Sequence, residues 1–276
     1  MSVRIFAGSR PIDGAPANDR GLAYGDGLFE TMRADRGGLP WFERHWGRLS
    51  EGAARLRMGL PDRALVETNI HDMLADGGDG VLKLLVTRGA GSRGYGGAVG
   101  IEPTWMLSRH PLSPPARADG LRVRWCDTRL GVQPLLAGIK HCNRLEQVLA
   151  RGEWSGGDWD EGLVRDTDGN VVSATSANLF VLRDGRWRTP RVDRCGVAGI
   201  CRGWVLETVG ASEAILSMDD VGRADALVLT NAVRGILPVA RLGDRAWPPH
   251  PATRELQRRL AAEHPAFNPA FNEDLA

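Results

Sequence analysis

The sequence predicts a mixed α/β protein built in two parts, on three observations. Its 276 residues suffice for two domains or one large one. Strand-like and helix-like hydrophobic periods occur along both halves. Between the halves, Pro111-Leu-Ser-Pro-Pro-Ala-Arg-Ala-Asp-Gly120 reads as a linker, because its residues suit neither period. The parts are therefore placed at 1–113 and 121–276, joined by 114–120.

Composition removes several classes of function. The chain is 42% hydrophobic and 25% charged, as in ordinary globular proteins. A net charge of +1 points neither to nucleic acid nor to an acidic membrane surface. No apolar run reaches membrane-spanning length and no signal-peptide pattern follows Met1, so a cytoplasmic location is expected. Four cysteines (Cys126, Cys142, Cys195, Cys201) lack any C-x-x-C spacing and read as reduced thiols. The six histidines show no metal-ligand spacing, so no metal is expected. No G-x-S-x-G occurs, which argues against an α/β hydrolase.

The elements of the first part follow in order. Ser2–Phe6 is a short apolar strand. In Asp19–Arg33, Gly25 and Gly27 flank Asp26, which fits a tight turn leading into the strand Leu28-Phe29-Glu30-Thr31-Met32. From Trp41 to Met58 apolar residues recur at three and four, a helix with Arg48 beside its stripe. Such an arginine snorkels, pairs with a carboxylate, or clamps a phosphate. A second helix covers about Asp62–Leu74. Gly80–Gly89 is a strong strand carrying Lys83 and ending near Arg88. The Gly/Ser-rich loop after it carries Arg93 and Tyr95. It is no phosphate-binding P-loop, since it lacks G-K-[ST] and a following helix. Its arginines suit either an anionic substrate or solvent. Thr104–Ser108 is a further strand.

In the second part, Leu121–Asp127 alternates as a strand. Next comes Pro134–Arg151, centred on Lys140. Only two of the 35 basic residues are lysines, Lys83 and Lys140. A chain that uses arginine almost everywhere has reason to keep a lysine where it needs an amine, because arginine cannot lose its proton. The plainer reading is a surface lysine in a turn. A helix is expected just after it, with Asn143 as cap, Glu146 completing a capping box, and an apolar stripe of Leu145, Val148 and Leu149. Glu161–Arg165 and Val171–Val172 read as strands joined at Asp168-Gly169. Gly196 and Gly199 precede a helix at Ile200–Val209, a setting for anions that is weak evidence alone. The strand Ala224–Leu229 ends in Thr230-Asn231, small polar residues suited to a second phosphate contact. Ala252–His264 is an amphipathic packing helix.

Assembled, these segments resemble the class IV, branched-chain-aminotransferase-like, pyridoxal-phosphate (PLP) enzymes, and among them the 4-amino-4-deoxychorismate lyases. The most specific stretch is A-G-I-K-H-C-N-R-L-E-Q-V-L-A-R, Ala137–Arg151. Support comes from R-G-L-A-Y-G-D-G-L-F-E-T-M-R, R-G-A-G-S-R-G-Y (Arg88–Tyr95), A-N-L-F (Ala177–Phe180) and C-G-V-A-G-I (Cys195–Ile200). The resemblance implies an α/β (α+β) fold of two domains with PLP in the interdomain cleft, and a homodimer. It implies Lys140 as the Schiff-base lysine and catalytic base, with Thr31 as a positioned hydroxyl. Arg48, backbone at Val197-Ala198, and Thr230-Asn231 would hold the cofactor phosphate. Arg88, Arg93 and Tyr95 become candidates for the substrate. The implied reaction releases pyruvate and 4-aminobenzoate, a folate precursor.

One position breaks the pattern. The family has a glutamate five residues before the Asn of A-N-L-F, where it pairs with the pyridine nitrogen. Here that residue is Ser173, and Val171–Asn178 holds no carboxylate. A serine there fits a tuned, weaker electron sink, compatible with a lyase and awkward for an aminotransferase. It also fits a catalytically altered PLP-binding paralogue. A D-amino-acid or branched-chain aminotransferase is the remaining alternative.

Overall fold

The computed structural model describes residues 2–96 and 100–268. The chain divides into two compact units. One is Met1–Ser113 with Ile139–Arg144; the other is Pro114–Gly138 with Leu145–Ala276.

The first unit contains β1 (Ser2–Ala7), β2 (Arg10–Pro11), α1 (Arg20–Tyr24), β3 (Gly27–Ala34), α2 (Phe42–Leu56), α3 (Arg63–Met73), β4 (Gly80–Thr87) and β5 (Thr104–His110). Among the described residues its strands form an antiparallel sheet in the order β2-β1-β5-β4-β3. Strand alternation decides its two faces. Leu28, Glu30, Met32 and Ala34 of β3 are buried, while Phe29, Thr31 and Arg33 between them are only half-buried. The α2 helix buries His45, Leu49, Gly52 and Ala53. Gly52 faces Leu28: a Cβ there would stand 3.0 Å from the leucine methyls. Leu82, Leu84, Trp105 and Leu107 complete the core, each adding roughly 1.5–3 kcal/mol through burial. Phe6 stacks on Trp105 at 4.1 Å. The N-terminus of α3 is capped by Asp62, whose carboxylate accepts from Leu65 N–H at 2.8 Å.

β3 is the edge of this sheet, and Ile139–Arg144 lies along it. Phe29 N–H donates to Lys140 O (3.0 Å) and Cys142 N–H donates to Gly27 O (2.9 Å). A bridge pairs Leu28 with His141. The segment thus satisfies an edge that would otherwise present unpaired backbone groups.

The second unit contains β6 (Leu121–Leu130), α4 (Leu145–Arg151), β7 (Glu161–Asp166), β8 (Val171–Ala174), β9 (Asn178–Arg183), β10 (Arg186–Pro190), α5 (Ile200–Val209), β11 (Ser212–Ala214), α6 (Met218–Gly222), β12 (Ala226–Asn231), β13 (Gly235–Leu242), β14 (Arg245–Ala246) and α7 (Pro251–Glu263). Its sheet runs β11-β10-β9-β12-β13-β6-β7-β8, with β14 on β13. Pairing is mixed: β6 is parallel to β13 and β7, whereas β9, β12 and β13 are antiparallel neighbours. Leu121, Val123, Leu163, Leu179, Val181, Leu227, Leu229 and Val239 build one core. A smaller core gathers Cys126, Leu130, Val164 and Val172. Among the described residues no helix is long and apolar enough to cross a membrane, no cluster could hold a metal, and the four cysteines are unbridged.

Two stretches carry elements that the sequence left unassigned, and one expectation changes. Arg20–Tyr24 forms a short helix ahead of the Gly25-Asp26-Gly27 segment, because Asp19 accepts from Gly21 N–H and Gly25 closes the helix at φ 64°. β13 carries Pro238 mid-strand, a residue that argues against a strand in sequence. The capping box after Lys140 is not formed. Glu146 instead accepts from Gly131 N–H at 2.7 Å, and Leu145, Val148 and Leu149 of α4 are 76%, 62% and 65% exposed rather than packed.

Candidate active site

Lys140 is held by its backbone on the edge of β3, and its side chain folds over the next ring along. Nζ lies 4.3 Å from the centroid of Phe29. An aromatic face attracts a cation, yet the surroundings work against one. Burial, then the Arg48 guanidinium, bring the amine down to about 8, with Arg144 and Lys83 adding and the Glu30 carboxylate opposing. The amine therefore loses its proton well below the ordinary lysine range, and a minor fraction, about a tenth to a fifth, is neutral near physiological pH. Two residues on, burial pushes the Cys142 thiol up to about 11, which leaves it unreactive.

Glu30 is the residue after Phe29 and points to the opposite side of β3, into the core. Arg48 Nε donates to its Oε1 at 2.8 Å, and Arg48 Nη2 donates to its Oε2. His45, one helical turn before Arg48 on α2, places Nδ1 2.6 Å from Oε2. Both Glu30 and His45 are 2% exposed. Burial alone would raise the Glu30 carboxyl, but Arg48 and His45 outweigh it and hold it at about 2. Burial lowers the His45 imidazole despite its partner, so the ring is neutral and its Nδ1–H is the donor. Arg48, expected at a phosphate, thus carries a carboxylate partner as well.

The half-buried side of β3 adds a polar row. Thr31 is paired with Lys83 of β4, and Lys83 with Ser108 of β5. Residues directly opposite share a face, so Thr31, Lys83 and Ser108 line up beside Phe29. Lys83 Nζ lies 5.2 Å from the Phe29 centroid. Both lysines of the chain therefore converge on one ring. Ser108 Oγ lies 2.9 Å from His110 Nε2.

The expected substrate arginines fare differently. Arg88 holds Asp26 through Nε (2.7 Å) and Nη2 (3.1 Å), and donates to the carbonyls of Arg57 (2.6 Å) and Leu56 (2.8 Å). That network fixes the G-D-G turn and engages Arg88 in four hydrogen bonds, which gives it a structural role beside the expected one. Arg93 is exposed, and Tyr95 is 89% exposed. Their loop is tethered by buried Arg20, which donates to Gly94 O at 2.8 Å, and by Gly94 N–H donating to Tyr24 Oη at 3.1 Å. The remainder of the expected 89–97 loop reaches residue 97, outside the described residues.

In the second unit, Asn178 ties together the residues expected at a phosphate. Its Nδ2 donates to Val197 O at 2.9 Å. Its Oδ1 occupies the place of a Gly199 Cβ, 2.1 Å away, which only glycine permits. Across the sheet it pairs with Thr230. Thr230 is 1% exposed, and its Oγ1 has no hydrogen-bond partner among the described residues. Gly199 starts α5 without a side-chain cap and with no acid in the first turn, leaving the positive helix end unneutralised. Two expected contacts are already used. Ala198 N–H donates to Gly138 O (2.9 Å), and Asn231 Oδ1 accepts from Val233 and Arg234 N–H (3.0 and 2.8 Å). Ser173 is buried in β8 opposite Val164. The buried Glu161 does not replace the missing carboxylate. Its oxygens hold Gly162 N–H (2.9 Å), Thr175 N–H (3.2 Å), the Thr175 hydroxyl and the Ser176 hydroxyl (2.5 Å).

Sequence reasoning missed Phe29, Glu30, His45 and Asn178 as site residues. A signal did exist: a carboxylate and an imidazole at core positions of adjacent elements have to be paired.

Comparison with known proteins adds kinship. The sequence model of the amino-transferase class IV family matches residues 27–242. The aminodeoxychorismate lyase of Vibrio harveyi is 33% identical over 265 residues, spanning 91% of this chain and 97% of that protein. The crystal structure of 4-amino-4-deoxychorismate lyase from Pseudomonas aeruginosa superposes with a TM-score of 0.86 at 42% identity, covering 94% of this chain and 98% of the other. A D-alanine aminotransferase of Bacillus licheniformis is 26% identical over 264 residues, spanning 88% of this chain and 89% of that protein.

Proposed function

The chain belongs to the class IV aminotransferase family, whose members are PLP-dependent lyases and aminotransferases, and from that premise we propose that it is a lyase converting 4-amino-4-deoxychorismate to 4-aminobenzoate and pyruvate. The observation that carries the reading is the Lys140 amine, half-buried on Phe29 and held at about 8. The kinship to two lyases, at 33% and 42% identity against 26% for the D-alanine aminotransferase, supports the choice of substrate.

The residues fit PLP. A phosphate suits the uncapped start of α5 and the unpartnered Thr230 hydroxyl, and a carbonyl cofactor suits a lysine amine that loses its proton easily. By kinship, Lys140 and Arg48 of the first unit and Val197 and Thr230 of the second would hold it, and Ser173 would take the place at the ring nitrogen where the family carries a glutamate. When bound, PLP supplies an electron sink for charge developing on the carbon that bears the substrate amine. Lys140 takes the proton from that ring carbon. The bond from the neighbouring ring carbon to the enolpyruvyl oxygen then breaks, and the ring becomes aromatic. Lys140 returns the proton to the methylene carbon of the departing group, which leaves as pyruvate. Thr31 holds a hydroxyl on the same face for orientation. Lys83 joins Arg88 in the carboxylate role, with Arg93 of the loop as a further cation. The enzyme is proposed to act as a cytoplasmic homodimer supplying 4-aminobenzoate for folate.

The test is 4-aminobenzoate appearing one-for-one with pyruvate from 4-amino-4-deoxychorismate, with the rate falling roughly 10²–10⁴-fold in Lys140→Ala. No 4-aminobenzoate, together with keto-acid formation from D-alanine or branched-chain donors, would move the protein to the aminotransferases.

A further inference from the structure

Arg48 and Lys140 come from different segments, and the Arg48 guanidinium is near enough to disfavour the charged Lys140 amine while the Glu30 carboxylate opposes it. β3 supplies that carboxylate. Phe29 faces the amine, and the next residue, Glu30, crosses to the core and takes the Nε–Nη2 edge of Arg48. Glu30 is itself seated by His45 at 2.6 Å. A buried carboxylate receiving three donors has no freedom to swing, so the guanidinium plane is fixed with it.

We propose that Glu30, seated by His45, is a positioning residue of this site: it holds the Arg48 guanidinium in place and balances its charge beside the Lys140 amine. The charged groups facing Lys140 are Arg48 from α2, Glu30 from β3, Lys83 from β4 and Arg144 from its own segment. Glu30 is the one anion among them, and removing it leaves the amine among cations only. The inference rests on Lys140 as the working amine, but its test needs neither substrate nor cofactor. Failure here would leave the proposed reaction standing.

The experiment follows acetylation of Lys140 by acetic anhydride across pH in the full chain stripped of cofactor, read on its own peptide by mass spectrometry. Lys83 shares the Phe29 ring with Lys140, so a short lysine-containing peptide added to each reaction serves as the reference for reagent reactivity. Wild type is expected to titrate near about 8. Glu30→Gln lowers the midpoint by about one pH unit and Arg48→Met raises it by a similar amount. The double variant, which removes both charges, returns near wild type and stays informative if a single variant folds poorly. His45→Leu shifts the midpoint, whereas His45→Asn, which keeps a donor, restores it. Opposite shifts from the two ends of one ion pair are a charge signature that loosened packing cannot give. If Glu30→Gln and Arg48→Met both move Lys140 upward toward 10.5, or neither moves it, the proposal is overturned.

Discussion

A buried hydroxyl without a partner is worth roughly 1–3 kcal/mol to whatever ligand satisfies it, and Thr230 Oγ1 is such a group among the described residues. Thr230→Val keeps the shape and removes the donor. It is expected to weaken PLP binding about tenfold, close to 1.4 kcal/mol, with little change in melting temperature. Equal cofactor affinity in titrations of the two proteins would take Thr230 out of the phosphate site. Ser173 makes the complementary case. Glu161 is engaged by Gly162, Thr175 and Ser176, so it does not stand in for the missing carboxylate. Ser173→Glu is expected to raise keto-acid formation from amino donors. A variant inert toward every donor would remove the idea that the serine favours elimination.

β3 shows why one strand matters more than its length suggests. Successive side chains point to opposite faces, so Phe29 and Glu30 serve the amine and the arginine at once. Glu30 also links this strand to acid stability. Its folded carboxyl sits at about 2 against an ordinary 4.5, so its contribution is full above 4.5 and is lost as pH falls toward 2. The shift corresponds to roughly 3–4 kcal/mol. Urea denaturation between pH 6 and pH 3 should therefore steepen with acid in wild type and flatten in Glu30→Gln. Parallel curves would contradict the buried ion pair. Most elements were legible in the sequence, because long periodic runs such as Phe42–Leu56 and Gly80–Thr87 declare their type locally. The misses were where tertiary context won. Pro238 is tolerated in β13. Glu146 abandons its capping role for Gly131.

At the scale of the molecule, residue type and motif single out Lys140 and Arg48 in the sequence. Their neighbours are not legible in it. Glu30, His45 and Lys83 meet through strand register and helix packing, which a linear reading does not contain. The structural network of Arg88 was not legible for the same reason, since its acceptors Asp26, Leu56 and Arg57 lie far away in the chain. Placing an amine where its charged form is disfavoured also has a stability consequence. Lys140 titrates at about 8 folded against 10.5 unfolded, so the unloaded protein is penalised below 8 and gains stability as pH rises from 8 to 10.5. Lys140→Met is expected to stabilise the cofactor-free protein at pH 7 by roughly 1–3 kcal/mol, a trade of stability for function. A lower melting temperature would contradict the depressed amine.

The most direct test of the account is the visible absorbance of the purified protein with and without added PLP, set beside Lys140→Ala. The account predicts a visible band with PLP in the wild type that disappears in the variant, because cofactor and amine are joined at Lys140. If the band is absent in the wild type with PLP in excess, or persists unchanged in Lys140→Ala, then Lys140 is not the working amine and the proposed chemistry is wrong.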